Sequence, residues 1–362
     1  MTVTATAPRL ADTASGINNG HLGRWVPWAL LAASIVVFLP VFLMLASIGG
    51  EGLNIAGWLI TAALVYLVLI FTISAIVEGR RKAVDRLVTG VVTAAFVVAM
   101  VPLVSVGWTV IELGVHRFDA MFFSSSMRNV VGEGGGVIHA VWGTLLITLA
   151  AAIISIPIGL MTAIYLVEYG RGRLARAITF LVDVMTGIPS IVAGLFAYAL
   201  FALFFGAGVR LGFMGSIALA VLMIPVVVRS SEEMLRLVPN ELREAAFALG
   251  VPKWLTIVKV VLPTAIAGIT TGIMLSISRV IGETAPLLIT AGFTDSLNLN
   301  LFDGRMQTLP VFVYSQYANQ GIPPEAYWDR AWAAALTLIL IVMLLNLLAR
   351  LIAKIFAPKT GR

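Results

Sequence analysis

The stretch SISRVIGETAPLLIT, residues 276–290, places Arg279 and Glu283 inside a run otherwise apolar enough for a membrane-spanning helix. A charge near the bilayer centre costs about 2.5–3.5 kcal/mol on insertion scales, so two are tolerated only when paired or facing water. Four residues apart on a helix, they share one face and can meet. Two roles fit. The pair can be a structural staple, neutral in itself or bonded to a neighbouring helix. It can instead be a polar site on a substrate pathway, the usual role of ionisable groups inside a membrane. Arg279 suits an oxyanion, because its guanidinium is a planar fork that stays charged at any relevant pH. Glu283 can hold Arg279 in place and keep the local net charge low, so that an anion is not trapped. Gly282 and Pro286 flank the pair, and Pro286 frees a carbonyl near Gly282 and can kink the helix. Upstream, GITTG sets Gly268 and Gly272 four apart, a small-residue face for close helix contact.

Other reactive chemistry is sparse. The 362 residues include no cysteine, so thiol nucleophiles, disulfides and thiolate metal sites are excluded. His21, His116 and His139 are far apart, with no His-Glu-x-x-His and no carboxylate cluster beside them, so no metal site is expected. No serine sits in a nucleophile elbow. No catalytic constellation emerges, and the chain is not expected to be an enzyme. Glu168 and Asp183 are expected beside Arg171, Arg173 or Arg176, and Glu232 and Glu233 as solvated charges.

What positions the charged pair is a membrane bundle. With 60% hydrophobic and 12% charged residues, the composition is that of an all-α polytopic membrane protein. The net charge of +6 lies in short loops, so it points to a lipid bilayer and not to nucleic acid. Eight runs are long enough to cross about 30 Å of hydrocarbon. They fall near 26–48, 56–77, 87–111, 138–167, 178–206, 213–228, 265–291 and 331–353. With the N-terminus inside, 18 of the 24 Lys and Arg lie in cytoplasmic segments and 5 in external ones, Arg279 being the other. That asymmetry is the positive-inside pattern and puts both termini in the cytoplasm. Residues 1–25 read as a cytoplasmic tail and 354–362 as another. The apolar run after the first tail is too long for a signal-peptide core, so no cleavage is expected.

Three connections are long. Residues 112–137 face outward and hold GEGGGV, which suits either a flexible tether or a segment folded on the outer mouth. Residues 292–330, also outward, have the aromatics and prolines of an ordered cap at the interface. Residues 229–263 face the cytoplasm. There Asn240 is placed as an N-cap after Pro239, with Glu241 and Glu244 in the first turn, where the helix dipole favours negative charge. Leu242, Ala245, Ala246 and Leu249 form one apolar stripe, and Gly250 suits the left-handed residue that ends a helix. Such a helix can lie on lipid headgroups or insert into a partner's groove.

EAAFALG, followed at the right distance by VVLP, resembles the EAA motif of type I ABC importer permeases. Glu244, Ala245, Ala246, Gly250, Leu262 and Pro263 match it, while Val260 stands where isoleucine is usual. The resemblance implies docking on a cytoplasmic ATPase subunit. No G-x-x-x-x-G-K-[ST] phosphate loop occurs in the chain, so ATP and Mg²⁺ are expected on that partner and no cofactor on this subunit. SRVIGETAPLLITAG further resembles the signature of one of the two unlike permeases of phosphate importers. The likeness extends over Val137 to Ala353 and takes in VWGTLLITLAAAIISIPIGLMTAIYLVEYG and MTGIPSIVAGLFAY. It implies that Arg279 and Glu283 serve phosphate passage, with Thr284 as an extra hydrogen-bonding group. It implies a bacterial inner-membrane heterodimer with a second permease, two ATPase copies and an extracytoplasmic phosphate-binding protein on the outer loops. Another oxyanion is the alternative cargo, and a proton-coupled anion transporter is the alternative from a different class. The third to eighth spans then supply a six-helix core, the third lying with the outer loop in 78–136 and the others in 137–353, and an extra hairpin at 26–77 precedes it. That hairpin has either a packing or a partner-recruiting role.

Overall fold

The computed structural model describes residues 21–49 and 52–356, and among these every regular element is helical. Most of the tail expected at 1–25, and residues 357–362 of the one expected at 354–362, lie outside the described residues. Seven helices are long and apolar enough to cross a membrane, or eight if one bent pair counts as a single span. The chain divides into two compact units, the first ending at Gly107 and the second beginning at Trp108.

The first unit holds α1 (Val26–Gly49), α2 (Ile55–Val77) and most of α3 (Arg80–Gly114). Asn54 caps α2 by accepting from the Gly57 amide at 2.8 Å. Trp58 Nε1 donates across the hairpin to Ile35 O at 3.0 Å. Beyond α2, Glu78 is buried and collects the guanidinium of Arg86 at 2.7 and 2.9 Å, the Ser74 hydroxyl at 2.9 Å and the Leu22 amide at 3.0 Å. Burial alone would raise its pKa. The Arg86, Leu22 and Ser74 bonds outweigh that and hold it at about 2.

The second unit continues with α4 (Ala120–Ser124) and α5 (Ile138–Ile164), which runs on through a wide π turn at Tyr165–Tyr169. Then come α6 (Gly172–Thr186), α7 (Ser190–Phe205), α8 (Gly212–Arg236) and α9 (Asn240–Ala248). A turn of α10 (Lys253–Thr256) and a π turn at Ile257–Val261 lead into α11 (Leu262–Val280). The chain finishes with α12 (Ala285–Thr290), α13 (Leu309–Ala318) and α14 (Pro324–Phe356). Its core joins α5 and α8, where Ile147 and Ala151 meet Leu219, Met223 and Val227. Small residues allow this approach: a methyl built on Gly159 would stand 2.7 Å from Val227 Cγ1.

Four elements depart from the sequence expectation. The run at 178–206 is not one helix, because α6 and α7 are bent by 109°. Pro189 between them has no amide to continue a helix and disfavours helical geometry at Ile188. The span expected at 213–228 continues to Arg236, since ion pairs one turn apart solvate its polar end. The seventh span breaks at 281–284. The segment 292–330 is ordered, but it is not all connection: it holds α13, whose Leu309, Val311 and Phe312 are fully buried, and α14 starts within it. The outer loop 112–137 is folded rather than loose. Arg330, 1% exposed, donates through Nη1 to Gly132 O at 2.6 Å and Gly134 O at 3.0 Å. Three of the loop's glycines have positive φ.

Candidate functional site

Arg279 sits in the last turn of α11, where a cation complements the helix dipole, and its side chain is exposed. The helix ends at Val280, and Glu283 and Thr284 follow half-buried in the break before α12. The shared helix face expected for Arg279 and Glu283 is therefore absent. Among the described residues neither side chain has a hydrogen-bond or ion-pair partner in its own chain. The physical reason is local. Pro286 stands in the first turn of α12, where a missing amide is harmless, and the chain restarts the helix there instead of kinking it.

The break is braced on several sides. Pro286 and Leu287 are buried. A methyl on Gly194 of α7 would lie 2.6 Å from Pro286 Cα, and one on Gly215 of α8 would lie 3.0 Å from Leu287 Cδ2. One position before Arg279, Ser278 and Asn346 of α14 exchange hydrogen bonds at 3.2 and 3.0 Å. Gly268 and Gly272 face α8, and a methyl on Gly272 would stand 2.5 Å from Ser230 Cβ. Gly282 has no such neighbour: its would-be methyl meets open space.

The helix α9 begins one residue earlier than expected. Pro239 occupies the capping position, and Asn240 is the first helical residue, its Oδ1 accepting from Arg243 Nη1 at 3.3 Å. Gly250 has φ +77°, and the Val251 amide reaches back to Ala246 O at 3.1 Å, the bonding of a Schellman end. The described residues leave the predicted stripe largely uncovered. Of its members only Ala246 is buried, whereas Ala245 and Leu242 are exposed and Leu249 is 84% exposed. Glu244 is exposed as well, and Phe247 and Trp254 add to the open apolar surface. Leu262 packs beneath with Ile164, Leu235, Val238 and Val261, and Pro263 opens α11.

The acidic partners differ from those expected. Glu168 pairs with Arg243 at 2.9 Å, and Asp183 pairs with Arg229. Glu232 is buried, not solvated, and holds Arg229 at 2.8 Å and Arg236 at 2.6 Å. Glu168 with Arg243, 75 residues apart, and Asp183 with Arg229, 46 apart, had no local signal, whereas Glu232 stands one helical turn from each of its arginines. Among the histidines, His139 is buried against Gln307 Oε1 at 3.2 Å, and no group of three or more metal-binding side chains occurs among the described residues.

Residues 155–362 match the family model for the binding-protein-dependent transport system inner membrane component. The chain is 49% identical over 263 residues to the phosphate transport system permease protein PstA 1 of Mycobacterium tuberculosis strain H37Rv, covering 72% of this chain and 84% of that one. It is 38% identical over 264 residues to the PstA protein of Pasteurella multocida, covering 72% and 90%. A solved bacterial alginate ABC transporter, in complex with an alginate pentasaccharide-bound periplasmic protein, shares the fold. Its TM-score is 0.53 at 13% identity, over 77% of this chain and 97% of that one.

Proposed function

The chain belongs to the PstA family of phosphate-transport permeases among the binding-protein-dependent inner-membrane components, and from that premise we propose how its parts act. It is a permease subunit of a phosphate ABC importer, a transport component rather than a catalytic one. Phosphate passes the face that Arg279 presents. The observation that carries this reading is an exposed guanidinium at the end of a membrane helix, with no partner among the described residues and a fork that matches an oxyanion. Glu283 and Thr284, in the adjoining break, temper the charge and offer an acceptor and a hydroxyl.

The docking element is α9 with its flanks: Glu244, Ala245, Ala246, Gly250, Leu262 and Pro263. Support comes from the apolar residues that this helix turns outward, the pattern of a helix that fills a partner's groove. The partner is an ATPase subunit, present in two copies, which holds ATP and Mg²⁺, while this subunit holds no cofactor. A second, unlike permease completes a heterodimer. A phosphate-binding protein docks on the outer segments 112–137 and 292–330. The protein lies in the bacterial inner membrane with both termini cytoplasmic, as the Lys and Arg asymmetry supports. ATP-driven closure of the ATPase pulls α9 and rocks the spans about the pathway. The test is co-purification. The wild-type permease is expected to bring down the ATPase, and Glu244→Lys to lose it. A wild-type preparation without any ATPase would sink the docking reading.

A further inference from the structure

Glu168 joins three segments that are remote in sequence. It lies in the π turn that ends α5, and its carboxylate meets Arg243 of α9 through Nε at 3.0 Å and Nη2 at 2.9 Å. Arg243 also donates to Leu235 O in the last turn of α8 at 2.9 Å and to Val238 O just beyond it at 2.6 Å. Lys253, just past the Gly250 turn, donates to the Glu168 carbonyl and stands 4.7 Å above the Tyr169 ring. The side chains of Glu168 and Arg243 are only 6% and 12% exposed, so water does not screen the pair.

This knot ties α9 to the ends of α5 and α8. Of the residues in α9 only Ala246 is buried, and neither end of the helix has a side-chain cap. Covalent linkage carries a pull on α9 into α11 through the few residues of α10 and its π turn. No short covalent path leads from α9 to α5. Yet α5 packs along α8 for most of its length.

We propose that Glu168 is a positioning residue for transport, a latch that makes α5 and α8 move with the docking helix as one body. A pull by the ATPase then enters the membrane through α5 as well as through α11. The inference rests on the reading of α9 as the ATPase contact. Without the latch, α9 pivots between Pro239 and Gly250, and the ATPase turns over with less phosphate moved.

The assembled importer, purified with its ATPase into nanodiscs, tests this. Spin labels at the exposed Met161 on α5 and Ala248 on α9 report their separation. In the otherwise wild-type complex the distance is expected to stay the same in nucleotide-free and ATP-trapped states. In Glu168→Gln it is expected to broaden and shift on ATP, while the ATPase stays bound and phosphate transported per ATP falls several-fold. A wild-type distance that changes on ATP overturns the proposal, and that readout stands even if Glu168→Gln fails to assemble. An unchanged transport ratio in an assembled Glu168→Gln complex overturns it too. A wild-type permease that never binds the ATPase overturns the docking reading itself, and this proposal with it.

Discussion

The docking element can be weakened at one backbone angle. Gly250 has φ +77°, and a methyl built on it meets nothing within 4 Å. Gly250→Ala therefore adds no clash, and its cost is the left-handed backbone alone, about 1–2 kcal/mol. That cost falls on the conformation that presents Leu249 and sets Lys253 after the turn. If the ATPase binds only this conformation, affinity drops by the same free energy, about 5–30-fold. Asparagine tolerates the left-handed region better, so Gly250→Asn is expected to lose less than Gly250→Ala. The assay is titration of purified ATPase onto the permease in nanodiscs, with the thermal midpoint as a control for folding. Wild-type affinity in Gly250→Ala would refute the reasoning. Equal losses in the alanine and asparagine variants would refute it as well, because the side chain and not the backbone angle would then be responsible.

Two further perturbations follow from the packing and the charge. Gly272→Val drives a side chain into Ser230 of α8 and is expected to cost about 1–3 kcal/mol, seen as a lowered thermal midpoint, whereas Gly282→Ala enters open space and is expected to leave the midpoint unchanged. Glu78 has its pKa held down at about 2 from an ordinary 4.5, its Arg86, Leu22 and Ser74 bonds outweighing burial. Its stabilisation is thus complete above the unfolded value and is lost as pH falls from about 4.5 through about 2. Thermal midpoints measured across that window are expected to fall less steeply in Glu78→Gln than in the wild type.

Local signals in the sequence translated well into structure. Gly250 is readable as a helix end because only its own backbone angle is at stake, and Glu244, Ala245 and Ala246 stand on one short helix. The pairing expected of Arg279 with Glu283 fails for an equally local reason. A four-residue spacing brings side chains together only if the helix continues, and Pro286 ends it. Pro189 carries the same signal, masked by the long apolar run around it. The tertiary charge pairs were out of reach. Arg229 with Asp183 and Arg243 with Glu168 depend on which helix ends the bundle brings together, and no periodicity encodes that. Glu232 looked solvated because it sits in a polar run, yet the continuation of α8 buries it between two arginines.

The central claim is that phosphate passes Arg279. The measurement that meets it most directly is phosphate uptake by cells carrying Arg279→Gln, with the amount of assembled importer checked in the same membranes. The account predicts an assembled complex whose uptake is largely lost, and a partial loss in Arg279→Lys, which keeps the charge but not the fork. Wild-type uptake by Arg279→Gln would take Arg279 out of the pathway and contradict the account.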